Sequence, residues 1–135
     1  MQDRLHASLT FYRVSRGLNP LKLSQTLSTA ANRRSALAGE YYAQSGILAH
    51  DNPNIAGDRY FELLPTFGVT SWDWAGENLY LTNAPGDPVE PAMAGWKSSP
   101  THDANMLGVW DEVGFGIATL NGFVTITTLF LDRSG

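Results

Sequence analysis

The dipeptide Asn121-Gly122, set between two alternating runs at residues 112–120 and 123–131, constrains this chain more than any other feature. Asn-Gly supplies the two positive-φ residues of a type I′ turn, so the runs pair as an antiparallel hairpin with Leu120 opposite Phe123 and Ile117 opposite Ile126. Side chains alternate along a strand, so this register decides which residues share a face. One face carries Val113, Phe115, Ile117, Val124, Ile126 and Phe130; the other carries Gly114, Gly116 and Ala118 beside Thr125, Thr127 and Leu129. The first is an ordinary core surface. The second is nearly bare backbone, which a strand presents where a helix or a ligand comes close. Both faces need cover, so the hairpin predicts a sheet held between helical layers.

Candidate helices lie upstream. Leu5, Leu9 and Tyr12 fall at i, i+4 and i+7 within residues 3–16, and Gly17 ends that segment. Asn19-Pro20 forces a turn. Ser24 is a suitable N-cap for a second helix, whose inward stripe of Leu27, Ala30, Ala31, Arg34, Leu37, Ala38 and Tyr41 runs to Ser45-Gly46. Its alanines let it approach a neighbour closely. Residues 50–56 read as a polar loop and 57–67 as a third helix with Tyr60, Leu63, Leu64 and Phe67 inward. Trp72, Trp74 and residues 78–82 read as extended, with Glu77 near the middle. Residues 85–91 read as a loop, and Pro91 opens a short helix over 92–98 that Pro100 breaks.

At 135 residues, 43% hydrophobic and 16% charged, the chain is one domain over 1–135, able to bury about two-thirds of its unfolded surface. Without cysteine there is neither a disulfide framework nor a thiolate site, so any metal must be held by nitrogen and oxygen. Residues 1–45 carry six Lys and Arg against two acids, and residues 46–135 carry three against eleven. The basic half does not make a nucleic-acid surface, because Arg4, Arg13, Arg16, Arg33 and Arg34 are spread around two helices without interleaved exposed aromatics. No transmembrane segment is expected, since no run approaches the ~20 apolar residues of a membrane span. Met1-Gln2-Asp3-Arg4 leads directly into the domain without an apolar signal core, so the expectation is either that an export signal was trimmed or that the protein is not exported by that route.

The chemistry concentrates in His50, His102 and the Gly76-Glu77-Asn78 segment between them. Imidazole and carboxylate brought together from distant positions make a metal or acid-base site. The same atoms also make a structural network in which the histidines cap loops and Glu77 is their buried partner. Residues 96–107 show little helical or strand periodicity and place His102 in a polar segment. Ser98 or Ser99, His102 and Glu77 supply the residue types of a Ser-His-acid triad, but Pro100 stands between Ser99 and His102 and there is no Gly-x-Ser-x-Gly elbow. Glu77 and Glu90 form a glycosidase pair only if the fold sets their separation. Asp103 and Asp51 add negative charge nearby, although in a helix the side chains of His102 and Asp103 diverge by about 100°. Asn78 and Asn105 hold loops together, and Trp96 packs on the small-residue face of the sheet. Trp72 and Trp74, alternating on one side of a strand, serve either as core or as an aromatic wall of a groove.

Taken in order, these segments resemble a known family. A histidine after the second helix, Gly-Glu-Asn on the next strand, Trp-x-x-Ser-Pro-x-His-x-x-Asn-Met-Leu over residues 96–107 and a terminal hairpin are similar to the bacterial, cysteine-free branch of the CAP superfamily. That superfamily comprises cysteine-rich secretory proteins, antigen 5 and pathogenesis-related 1. Residues 12–27, with Arg13, Gly-Leu-x-Pro-Leu and Leu27 ahead of an alanine-rich helix, extend the resemblance over nearly the whole chain. The resemblance implies an α+β fold, a three-layer α-β-α sandwich with a central, mainly antiparallel sheet. It further implies one open cleft in which His50 and His102 hold a divalent cation, often zinc, and Glu77 orients a histidine or a metal-bound water. Asn78, Ser99, Asp103 and Trp96 would surround that cleft. Eukaryotic members add a second glutamate three residues after the helix tryptophan; from Trp96 that offset lands on Ser99, as is typical of the bacterial branch. Asp103 stands where bacterial relatives commonly carry arginine.

Two histidines fall short of the three protein ligands of a catalytic zinc. The expectation is therefore an extracellular or cell-surface binding module for a lipid, glycan or protein partner, rather than an enzyme. Two alternatives stand beside it: a metal-dependent hydrolase with Glu77 as its catalytic candidate, and an attachment domain of a larger surface or virion assembly.

Overall fold

The Ser24 hydroxyl accepts the Leu27 amide at 3.1 Å, and Gly46, in the left-handed region with φ +74°, ends the helix between them. The computed structural model describes residues 1–50 and 60–133, and in it this helix, Gln25–Ser45, is α2. Before it lie α1 (Gln2–Ser15) and the short strand β1 (Lys22–Leu23). After it come α3 (Tyr60–Leu63) with a 3-10 turn over Leu64–Phe67, then β2 (Trp74–Thr82), α4 (Val89–Lys97), α5 (Pro100–Met106), β3 (Glu112–Leu120) and β4 (Phe123–Asp132).

The strands form one sheet in the order β1-β3-β4-β2, with β1 parallel to β3 and the other pairs antiparallel. Asn121 and Gly122 take φ of +53° and +79°, the type I′ turn, and the register is Leu120 opposite Phe123 and Ile117 opposite Ile126. The two faces follow from that register. Leu5 and Leu9 of α1, Ala92, Met93 and Trp96 of α4 and Met106 of α5 pack on Val113, Phe115, Ile126 and Phe130. Leu27, Ala30 and Ala31 of α2, with Leu64 and Val69, pack on Leu129 and Leu131 from the other side. The result is a three-layer α-β-α sandwich with a mainly antiparallel centre. Gly114 and Gly116 let α2 lie directly on β3: a Cβ at Gly114 would fall 2.5 Å from backbone atoms of Leu27 and Ser28, and one at Gly116 only 2.1 Å from those of Ala31 and Asn32.

Side chains close both sheet edges. Along β3, past the end of two-residue β1, Ser28 Oγ accepts the Phe115 amide at 3.1 Å and Asn32 Oδ1 accepts that of Ile117 at 2.9 Å. Gln2 donates to the Phe115 carbonyl at 3.0 Å. Along β2, Trp96 Nε1 donates to the Leu79 carbonyl at 2.9 Å and Asn105 to that of Glu77 at 3.3 Å. An edge whose polar groups are occupied in this way is a poor template for strand addition.

Several expectations need correction. His102 lies in a helix, α5, because Pro100 at a first-turn position costs no hydrogen bond and starts one helix just after another has ended. Helix α4 begins at Val89, ahead of Pro91, whose missing N–H is again tolerated in a first turn. The described part of the third helix, Tyr60–Leu63, gives way to a 3-10 turn at Leu64, with Pro65 in its first positions. Trp96 packs on the large-residue face, not the small one, because α2 already occupies the glycine face in backbone contact. Trp72 precedes β2 and packs beside the α2 cluster, whereas Trp74 is 70% exposed, so the two do not share one wall. Strand β1 was not anticipated. The expected loop at Asp51 and its neighbours lies outside the described residues.

Candidate functional site

Adjacent residues of β2 face opposite layers, and this alternation builds the site. Glu77 is opposite Leu129 and faces α2; Asn78 is opposite Thr128 and faces α5. Because β2 is an edge strand, groups from both helical layers can meet along it.

On the α2 side, Arg34 and Glu77 form an ion pair with both side chains 0% exposed. Arg34 Nε donates to Glu77 Oε2 at 2.9 Å and Nη2 to Oε1 at 3.4 Å. The same Nη2 reaches the Ala49 carbonyl at 3.4 Å, which steadies the backbone just before His50. His50 Nδ1 lies 2.8 Å from Glu77 Oε1. A carboxylate paired with guanidinium only accepts, so Nδ1 carries the proton and Nε2 is the imidazole's remaining nitrogen. Arg34 was legible only as one member of an apolar stripe. An arginine on an otherwise alanine-lined helix face was the signal that it needed a buried acid.

On the α5 side, His102 Nδ1 is 2.7 Å from Ser99 Oγ. Asn78 donates to the His102 carbonyl at 3.0 Å and accepts from Asn105 at 2.9 Å, so the asparagines tie α5 to β2. Trp110 Nε1 donates to the Asn105 carbonyl at 2.6 Å and stacks on Phe130 with ring centroids 5.5 Å apart. A Cβ at Gly76 would sit 3.0 Å from the Trp110 ring, which explains glycine at the head of Gly76-Glu77-Asn78. Burial, and then the charge of His50, hold the His102 ring below the ordinary histidine range. At neutral pH it is therefore the neutral base that can ligate a metal.

The remaining candidates are placed elsewhere. Asp103 accepts a 2.5 Å hydrogen bond from Tyr12 of α1, pointing about 100° around α5 from His102. Trp96 is core, its indole N–H taken by Leu79. Glu90 receives a 3.4 Å hydrogen bond from Ser8, so the geometry pairs it with α1 rather than with Glu77. Ser99 and His102 meet despite the intervening proline, because N-cap and third helical positions are neighbours in space. Among the described residues no carboxylate joins that pair: Glu77 is bound to His50 and Arg34 instead. Arg13, read from the sequence only as part of the family pattern, has a structural use. Buried at the base of α1, it donates to the carbonyls of Asn19, Met106 and Gly108, each at 2.8 Å.

Chemically, the site offers two imidazoles whose Nδ1 atoms are held and whose Nε2 atoms have no partner among the described residues. That is the arrangement that orients metal-binding histidines. It fits a divalent cation bound by two protein nitrogens, with the other coordination positions filled from outside. Among the described residues, no group of three or more His, Asp or Glu side chains converges to hold an ion.

The family model described as CAP, the cysteine-rich secretory protein family, matches residues 10–129. A comparison with curated proteins gives no match. Among solved structures, an extracellular protein containing a SCP domain from Bacillus anthracis superposes with a TM-score of 0.75 at 20% identity, covering 98% of this chain and 40% of that one. An outer surface protein from Borrelia burgdorferi gives 0.75 at 18% identity, covering 96% of this chain and 90% of that one. A cysteine-rich secretory protein from Staphylococcus aureus gives 0.66 at 19% identity, covering 96% and 37%. The chain thus spans well under half the length of the Bacillus and Staphylococcus proteins.

Proposed function

We propose, from the premise that this chain belongs to the cysteine-rich secretory protein (CAP) family, that it is a binding module acting outside the cell or on its surface. Its cleft takes a divalent cation, zinc by the chemistry of the donors, between His50 and His102, and recruits a lipid, glycan or protein partner there. The carrying observation is the state of Glu77. Its side chain is 0% exposed, with one oxygen bound to Arg34 and the other shared between Arg34 and His50. A general acid or base must exchange protons with a substrate within hydrogen-bond reach. Glu77 is instead an internal strut that orients His50.

What supports this location is that similar structures are described as an extracellular protein and as an outer surface protein. The small share of the Bacillus and Staphylococcus proteins that this chain spans supports a role as one module of a longer surface protein. A hydrolase reading draws on the Ser99–His102 contact, but among the described residues no carboxylate completes it.

Zinc titration by calorimetry tests this. Wild type is expected to bind at micromolar level at pH 7.5, more weakly at pH 5.5 as the imidazoles protonate, and His50→Ala and His102→Ala are each expected to lose the heat. Binding that survives both substitutions, or no binding by wild type, would remove the cation from the account.

A further inference from the structure

Helix α5 carries His102 and has only seven residues, too few to hold a helix alone, so contacts to its neighbours fix its place and its rotation. Asn105 binds it to β2, donating to the Glu77 carbonyl and to Asn78 Oδ1. Asp103 binds it to α1, its Oδ1 accepting the Tyr12 hydroxyl at 2.5 Å. At about 100° per residue, positions 103 and 105 lie nearly opposite each other on the helix, and position 102 falls on the shorter arc between them. The side chain of His102 therefore projects between two grips. The Ser99 hydroxyl that meets His102 Nδ1 belongs to the N-cap of the same helix, so it sets the ring relative to α5 but not α5 relative to His50.

Tyr12 is itself held. Its ring packs against the core on the α1 side of the sheet, with Lys97 Nζ from the end of α4 4.7 Å from the ring centroid and the Arg16 guanidinium 5.5 Å from it. Arg16 also donates to the hydroxyl oxygen at 3.4 Å, which leaves the hydroxyl proton for Asp103.

We propose that Tyr12 and Asp103 are a positioning pair for the cation site: their hydrogen bond fixes the rotation of α5, and with it the place of His102 Nε2 relative to that of His50. This rests on the two-histidine reading above and adds to it what sets the second histidine. Neither side chain of the pair touches the cation. The pair acts through the hydrogen bond rather than through charge, since Asp103 points about 100° around the helix from His102.

Calorimetric zinc titration at pH 7.5, with urea midpoints measured beside it, is the test. Tyr12→Phe keeps the ring and removes the hydroxyl; it is expected to bind zinc about 10-fold more weakly than wild type, the low end of the loss when a partner that orients a metal-binding histidine is removed. Asp103→Ala is expected to match it, and the double variant to bind no more weakly than either, because all three lack the same contact. Asp103→Asn retains an oxygen for the Tyr12 hydroxyl and is expected to bind within about twofold of wild type. Gln2→Ala, which removes a hydrogen bond at the β3 edge of the sheet, is expected to lower the urea midpoint as Tyr12→Phe does and to leave zinc affinity unchanged. Wild-type affinity in Tyr12→Phe and Asp103→Ala would overturn the inference while the two-histidine site stands. So would Asp103→Asn as weak as Asp103→Ala, or a loss of affinity in Gln2→Ala equal to that in Tyr12→Phe. Wild type that takes up no zinc would overturn the cation site, and this inference with it.

Discussion

Replacing Arg34 with alanine is expected to cost about 3–5 kcal/mol of folding stability, the range for removing one partner of a buried ion pair. The loss is large because Glu77 would keep its burial and lose its guanidinium, while the Ala49 carbonyl would lose a donor. Against the roughly 5–15 kcal/mol that holds a domain of this kind together, such a variant is marginal at room temperature. The pair itself contributes far less than its removal costs, since desolvating two charges offsets most of their attraction. Arg34→Met combined with Glu77→Leu is therefore expected to recover most of the stability lost by Arg34→Ala, while freeing His50 from its anchor. Urea denaturation of wild type and the two variants measures this. A loss under about 1 kcal/mol for Arg34→Ala would mean that the pair is solvated and that Glu77 is not a sealed strut.

Gly116→Ala is expected to be comparably severe, at about 3 kcal/mol or more, although it adds one methyl group. The new carbon would fall 2.1 Å from the Ala31 carbonyl carbon and the Asn32 nitrogen, and backbone in the middle of a helix cannot swing aside as a side chain can. Helix α2 would have to lift from β3, breaking the Asn32 contact to the Ile117 amide and shifting Arg34 relative to Glu77. Gly39→Ala is the control, since its added carbon would meet only the Thr125 hydroxyl at 3.3 Å. The urea midpoint of Gly116→Ala should fall well below that of Gly39→Ala. Equal midpoints would show that α2 does not rest on the sheet through its backbone.

Much of this was legible before the structure, and for reasons that can be stated. A two-residue Asn-Gly turn leaves one register, so the faces of the hairpin, and from them the layers, follow without knowledge of the rest. Ser24 and Gly46 mark the ends of α2 because capping is local chemistry. The family motifs singled out His50, Glu77 and His102; Glu77 contacts His50, and Asn78, the next residue along the strand, contacts the backbone carbonyl of His102. Other features depend on tertiary placement. Strand β1 has two residues, too few for any periodicity. Helix α5 has seven, and its Pro100 signals an end as readily as a start. Asp103 turns to Tyr12 because an adjacent helical residue points about 100° away, an outcome that needed the helix to be recognised first. Arg34 sits on an inward stripe where only the position of Glu77 on the facing strand reveals its use.

Nitrogen NMR of the histidine rings, recorded at pH 7.5 with and without zinc, tests the central claim most directly, because it reads each imidazole nitrogen separately. Before zinc, His50 should show a protonated Nδ1, held by Glu77, and a bare Nε2. On addition of zinc, the Nε2 signals of His50 and His102 should move together while His50 Nδ1 stays protonated. Zinc at His50 Nδ1, or rings that do not respond at all, would contradict a cleft in which Glu77 is the strut and the paired Nε2 atoms are the binding face.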